Sequence, residues 1–385
     1  MQITYESEVC ALCRELVRRQ SLSGREKAVA DLVQREMRML GYDEIARDRL
    51  GSVVGVLHGA LPGRVVLFDA HMDVVPVTSP EEWRHPPFSG LQAEGRIWGR
   101  GATDVKGSLA AALVAIGMLP RKDLAGSVIM SASVGEEMVE GLALAQVLAD
   151  HPADMVVICE PTGLRLGLGH KGRAGLVVTA RGVSAHSSQP ELGANAVYRM
   201  MEAVSEIRSV SPRQDDLLGP GVNELVEIIS RPYPGTSMVP HGCQARFDRR
   251  LVRGETRGGV LDEMRQALAG LQGLEVHYHK AELTCYTGAS VGADDFHPAW
   301  AVEPDSEIAL RARRGLAQAG QSPEFYLAPY CSNGSLSAGE MGLPTIVYGA
   351  GRIEDAHCVS ESLSVGALLA AFHGYRCLAL SLAEP

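Results

Sequence analysis

Three runs of almost wholly apolar residues constrain this chain more than any other feature: VVLFDA at 65–70, SVIMSASV at 127–134 and MVVICE at 155–160. A strand with one wet face alternates apolar and polar residues. An unbroken apolar run of this length is a strand covered on both faces. Helical patterns separate the runs: an amphipathic stretch over 25–40, the buried-type stretch SLAAALVAIGML after Gly107, and a stretch from about 137 to 150. A further strand is expected over 52–58. Strands alternating with helices in this way predict an α/β sheet covered by helices.

The pattern then changes. Residues 175–184 read as a strand, 193–208 as a helix, 222–230 and 242–252 as strands, 256–270 as a helix and 274–284 as a strand. That βαββαβ order is the split βαβ arrangement of a ferredoxin-like α+β domain. After about 290 the buried pattern returns, with a helix near 304–319, the strand PTIVYG at 344–349 and a last helix near 362–381. A chain of 385 residues is long for one core. The expectation is an α/β catalytic domain built from 1–172 and 291–385, with an α+β domain inserted over 173–290.

Hydrophobic residues make up 46% and charged residues 21%, a soluble globular composition. With 36 basic and 46 acidic side chains the formal charge is −10, and no Lys/Arg block stands out, which argues against a nucleic-acid partner. The N-terminus lacks the basic start and apolar run of a signal peptide. The uncharged stretch between Lys106 and Arg121 is too short to span a bilayer, so no membrane partner is expected. Cys10 and Cys13 form a CxxC without a second pair, and an amphipathic helix accounts for them. Scattered cysteines without an export signal predict reduced thiols and a cytoplasmic protein.

Residues able to bind metal fall after the buried strands, where ligand sites of open α/β sheets lie. His71 and Asp73 follow VVLFDA, Asp104 sits in GRGATDVKG, Glu136 and Glu137 follow SVIMSASVG, Glu160 ends MVVICE, and His357 follows PTIVYGAGRIEDA. Each alone has an ordinary account. A histidine after a strand is often structural, Glu136 and Glu137 suit a helix N-terminus, Glu160 before Pro161 can cap a turn, and Asp104 can be an N-cap. Those accounts do not explain why all of them follow separate buried strands. Imidazole and carboxylate suit zinc-class metals, and two histidines with three carboxylates suffice for two ions if one carboxylate bridges. Asp73, two residues from His71, is placed to take the imidazole N–H.

HMDVVP, GRGATDVKG, SVGEE, CEPT and the late AH before Glu361 occur in an order that resembles the di-zinc metallopeptidase family. That family includes acetylornithine deacetylase, succinyl-diaminopimelate desuccinylase, aminoacylase and glutamate carboxypeptidase. The likeness covers essentially the whole chain. EPTGLRLGLGHKGRAGLVV and GVSAHSSQPELGANAVYRM look most like the YgeY-like hydrolases. The resemblance implies that Asp104 bridges two divalent ions, zinc with cobalt or manganese as alternatives. His71 and Glu160 would hold one ion, Glu137 and His357 the other, and Glu136 would be the general base. It also implies a cis peptide after Asp104. GVSAHSSQP resembles the segment whose histidine, here His186, stabilises the oxyanion and in dimers reaches the partner subunit's site. FDRR resembles the segment that places an arginine, here Arg250, on a substrate carboxylate; a strand-edge charge is the other account. Asn195 is a further candidate to reach the substrate. Two departures, GAGRIEDAH and Asn333 in CSNGS, are expected at the rim of the site, where they bear on substrate choice.

The leading expectation is hydrolysis of an amide bond in a small carboxylate-bearing substrate, N-acyl amino acids first and short peptides second, by a homodimer joined through the inserted domain. A catalytically silent ligand-binding homologue would show a lost base or ligand, and all six residues are present. A vacant or regulatory second metal site is a third reading, which metal stoichiometry would decide.

Overall fold

A computed structural model of the chain describes residues 5–385. Its main layer is a nine-stranded sheet whose path runs Glu44–Arg47, Val53–His58, Ala125–Ser133, Leu61–His71, Met155–Ile158, Thr345–Val347, Leu166–His170 and Trp300–Ala301, with Phe325–Ala328 pairing Leu166–His170 off that path. The four central strands, from Ala125–Ser133 to Thr345–Val347, are parallel. Parallel neighbours need crossovers, and helices fill them on both faces. Val66, Phe68 and Ala70 point into the core shared with helices Gly107–Gly117 and Val365–Ala383, whereas Leu67 points to the opposite face with Leu144, Val147 and Leu148. Both faces are dry, so the run shows no polar alternation.

Helix Gly107–Gly117 is buried from Gly107 to Ile116, and its sequence is apolar all round accordingly. The last helix, Val365–Ala383, is long and apolar enough to cross a membrane by composition. Leu368, Tyr375, Leu378 and Leu382 are nonetheless wholly buried in the main core, which accounts for that apolarity. Cys10 and Cys13 are free thiols buried on helix Tyr5–Val17.

The second sheet has the order Val222–Arg231, Gly242–Leu251, Gly172–Arg181, Leu274–Tyr278, with Phe296–His297 also on Gly172–Arg181. Every pairing in it is antiparallel. Helices Ala196–Ser209 and Arg257–Ala267 supply Met200, Ala203, Ile207, Val260 and Met264 to its own core. This is the ferredoxin-like order, inserted into the larger domain.

Several elements depart from expectation. The strand expected over 274–284 is two strands. Lys280–Thr284 leaves the small sheet, pairs with Ser290–Asp294, and sends Leu283 into the main core. The helix expected over 137–150 breaks into Glu136–Val139 and Leu142–Asp150, because Gly141 adopts φ +80° and its N–H donates to Asn333 Oδ1 at 2.7 Å. Leu166–His170 (LGLGH), for which the sequence pattern predicts no element, forms a buried strand. A Cβ at Gly169 would lie 2.4 Å from Trp300 O, so glycine is required there by the close approach of the next strand.

Candidate metal centre and its cavity

The carboxyl ends of the parallel strands converge. His71 is the last residue of Leu61–His71, Glu136 opens the helix after Ala125–Ser133, and Glu160 stands two residues past Met155–Ile158. Asp104 lies on the turn before helix Gly107–Gly117, and the Asp104–Val105 peptide is cis. His71 Nε2 is 2.9 Å from Asp104 Oδ1 and 3.6 Å from Glu160 Oε1. His357 Nε2 is 3.1 Å from Glu137 Oε1 and 3.3 Å from Asp104 Oδ2. Asp104 therefore offers one oxygen to each histidine, and candidate ligand atoms of His71, Asp104 and Glu137 lie within 4.8 Å of one another.

Burial raises the Glu136 and Glu160 carboxyls well above the carboxylate range, and their negative neighbours raise them further. Glu137 is raised by burial and by Asp104. Burial pushes Asp104 upward too, but its bonds to His357 and His71 hold it below the ordinary range. His357 is pushed up to about 10 by Asp104 and Glu137. Burial disfavours the charged form of His71, and Asp104 and Asp73 outweigh it, so its pKa is raised. No Lys or Arg is ion-paired with Asp104, Glu137 or Glu160 among the described residues. Buried carboxylates with only imidazoles for partners are a donor set that fits divalent cations.

Asp73 does more than stand behind His71. His71 Nδ1 is 3.0 Å from the Asp73 carbonyl oxygen and 3.6 Å from its carboxylate. The carboxylate accepts from Glu136 N at 3.0 Å, Glu137 N at 3.1 Å and Ser23 Oγ at 2.6 Å, so it also caps the short helix Glu136–Val139. A proton on Nδ1, held by that carbonyl, leaves the Nε2 lone pair facing Asp104 and Glu160.

A cavity of about 300 Å³ opens over these groups, walled by Asp104, Glu136, Glu137, Glu160 and His357, with Arg250, Arg173 and Tyr330 beside them. Arg250 pairs with Asp248 at 3.0 Å and is half-buried. A cleft of about 710 Å³ along the hairpin Lys280–Thr284 and Ser290–Asp294 is larger but contains none of these groups.

Three candidates lie elsewhere in the chain. Asn195 does not line the cavity: its Oδ1 accepts from Val197 N at 2.9 Å and caps helix Ala196–Ser209. Asn333 is not at the rim. It is buried, donates to Asp69 Oδ2 at 2.8 Å and accepts from Gly141 N, so its amide is committed to packing under the sheet. His186 is exposed on the inserted domain, with Nδ1 facing Ser188 Oγ at 2.8 Å, and does not line this chain's cavity.

Other residues at the site escaped the sequence reading. Glu361, 1% exposed, accepts from Thr103 N at 2.8 Å, Asp104 N at 3.1 Å and Arg100 Nη1 at 2.7 Å, and so fixes the turn that presents Asp104. Its place just after the late AH was the available signal. Glu140 and Arg173 carried none, since both look like surface charges in sequence.

Comparison with known proteins agrees with this geometry. Residues 67–381 match the model of Peptidase family M20/M25/M40. The chain belongs to peptidase family M20/M25/M40. It is 31% identical over 371 residues to the uncharacterized protein YgeY of Escherichia coli (strain K12), covering 93% of this chain and 90% of that one. It is 25% identical over 275 residues to the succinyl-diaminopimelate desuccinylase of Paracidovorax citrulli, covering 66% and 71%. Its fold superposes on an M20 family metallo-carboxypeptidase of Sulfolobus solfataricus with a TM-score of 0.77, covering 97% and 99% at 18% identity. As a member of this family the M20 chain is a metallohydrolase acting on amide or peptide bonds.

Proposed function

We propose that this M20 hydrolase cleaves the amide bond of a small substrate carrying a free carboxylate, an N-acyl amino acid in the first instance. The observation that carries the reading is Asp104 offering one oxygen to His71 and the other to His357, beside Glu136. His71 and Glu160 would hold one divalent ion and Glu137 and His357 the other, with Asp104 available to both. Zinc suits this set, with cobalt and manganese sharing its ligand preferences. Two such ions supply Lewis acidity and lower the pKa of water to near neutrality.

The chain's own groups do the rest. Glu136, buried and carrying a raised pKa, takes a proton from the attacking water at its carboxylate and delivers it to the leaving nitrogen. Arg250 orients the substrate carboxylate, because a half-buried guanidinium paired among the described residues only with the neighbouring Asp248 can exchange partners. A cavity of about 300 Å³ favours an amino-acid-sized ligand over a polypeptide. The inserted domain joins two copies. Support comes from its edge strand Val222–Arg231, which exposes Val226 and Ile228, and from Tyr198 and Met201, exposed on the adjoining helix. His186, exposed on the same domain, then serves the partner's oxyanion.

The test is a screen of N-acetyl, N-succinyl and N-carbamoyl amino acids and dipeptides with added zinc or cobalt. Glu136→Gln should keep its metal and lower kcat by about 10² to 10⁴. Near-wild-type turnover in that variant would reject the base assignment, and preference for dipeptides would move the substrate class to short peptides.

A further inference from the structure

We propose that Arg173 is a positioning residue for hydrolysis: acting through Glu140, it ties the inserted domain to the short helix that carries Glu136 and Glu137. The proposal rests on the reading of Glu136 as the base.

The chain passes between the domains twice, and the two crossings lie side by side. Arg173, at the start of strand Gly172–Arg181, is the register partner of His297 on the returning segment. Both side chains reach the same carboxylate. Arg173 Nη2 is 2.7 Å from Glu140 Oε2, and His297 Nε2 is 3.7 Å from it. Arg173 Nη2 also lies 3.2 Å from Asp295 Oδ1, and Asp295 Oδ2 lies 3.6 Å from Arg246 Nη2 on the neighbouring strand. Glu140 belongs to the other domain. It is the residue directly after helix Glu136–Val139, where the backbone turns before Gly141. Any shift of the inserted domain at Arg173 is therefore applied four residues from the proposed base.

Arg173 also faces the cavity, so substrate binding is the competing role. Its partners decide against it. Glu140 is buried, and among the described residues Arg173 is the one guanidinium within ion-pair distance of it. A substrate carboxylate that captured Arg173 would strand a buried charge. Arg250 carries no such obligation, since Asp248 is partly exposed.

The experiment compares Arg173→Gln, Arg173→Lys, Glu140→Gln and the double variant Arg173→Gln/Glu140→Gln. Three quantities are read: metal content, amide hydrogen exchange over 136–141, and kcat and KM on the best substrate of the screen. Expected are unchanged metal content, exchange over 136–141 faster by about tenfold in Arg173→Gln and Glu140→Gln, and kcat lower by about 10² with KM little moved. The double variant should be no worse than the poorer single, and Arg173→Lys should recover part of the loss. Gly175→Ala perturbs the same cluster without altering either partner, because its Cβ would lie 2.2 Å from Asp295 Oδ2, and it should show the same signature if the Arg173 variants do not fold. Unchanged exchange over 136–141, or a raised KM with kcat intact, would overturn the proposal. A wild type that hydrolyses nothing in the screen would reject the proposed function instead, and the exchange measurement would still judge Arg173.

Discussion

Replacing Glu361 should uncouple the stability of the fold from its ability to hold metal. Glu361 and Arg100 are 1% and 2% exposed and meet at 2.7 Å. Removing one member of such a pair leaves an uncompensated buried charge, at about 3–5 kcal/mol. Glu361→Ala also leaves the Thr103 and Asp104 amides without an acceptor, each worth about 1–3 kcal/mol when buried unsatisfied. These effects share one relaxation and do not add, so Glu361→Ala should lose roughly 4–6 kcal/mol in urea unfolding of the metal-free protein. The double variant Arg100→Met/Glu361→Leu replaces the ion pair with apolar volume and should regain the part of that loss that comes from the stranded Arg100 charge. It should not regain metal. The two amides that orient the Asp104 turn would still lack their acceptor, and zinc affinity by competition titration should stay about 10–100-fold below wild type. A double variant that binds zinc as tightly as wild type would refute the view that Glu361 positions Asp104. A Glu361→Ala loss below about 1 kcal/mol would refute the energetics.

Asn333→Ala should cost about 2–4 kcal/mol in urea unfolding, since it strips Gly141 N and Asp69 of buried partners, and should leave KM unchanged; a large rise in KM would return Asn333 to the substrate. His170 is wholly buried, accepts from Trp300 Nε1 at 2.8 Å, and burial brings its pKa from 6.5 down to about 4. The folded state keeps the imidazole neutral while the unfolded chain protonates below 6.5. Its contribution is therefore present above pH 6.5 and is lost as pH falls toward 4, by up to about 3 kcal/mol. His170→Gln should flatten the slope of unfolding free energy between those values, and an unchanged slope would contradict the assignment. Chelation should lower the melting temperature, and zinc at a hundred times its Kd should restore about 2.7 kcal/mol, whereas His71→Ala, which leaves Glu137, His357 and Asp104 in place, should respond less than wild type to both additions in a thermal melt.

The architecture was largely legible because its signals are local. An apolar run that skips the period of two marks a strand dry on both faces, and VVLFDA, SVIMSASV and MVVIC all form such strands. The β-ends rule then located His71, Glu136, Glu137 and Glu160 without any knowledge of pairing. What escaped depends on partners far along the chain. LGLGH lacks β-branched residues, and the approach of Val347 to Gly167 and of Trp300 to Gly169 explains its glycines. Asn195 and Asn333 have side chains suited to a ligand, but a helix N-terminus in one case and the Gly141 turn in the other claim them first. Arg173 and Glu140 stand far apart in sequence, and no local pattern announces that they meet at 2.7 Å.

The segment GEEMVEG shows why the remaining step needs three dimensions. Glu136, Glu137 and Glu140 are equally acidic in sequence and all become substantially buried, yet they differ in what neutralises them. Glu140 meets Arg173, as Glu361 meets Arg100 and Glu255 meets Arg249 at 2.5 Å. Those carboxylates are internally balanced and have little to offer an external cation. Asp73 and Asp69 are occupied differently, by backbone amides, serine hydroxyls and the Asn333 amide. Among the described residues Glu137 and Asp104 are left with imidazoles alone, and Glu160 approaches only His71 at 3.6 Å. Burial of an unbalanced carboxylate is costly, so a fold that gathers three of them beside Glu136 is stable in proportion to the positive charge it acquires. Guanidinium groups thus separate Glu140 and Glu361 from the unbalanced carboxylates, and the same two ion pairs brace the helix that carries Glu136 and the turn that carries Asp104.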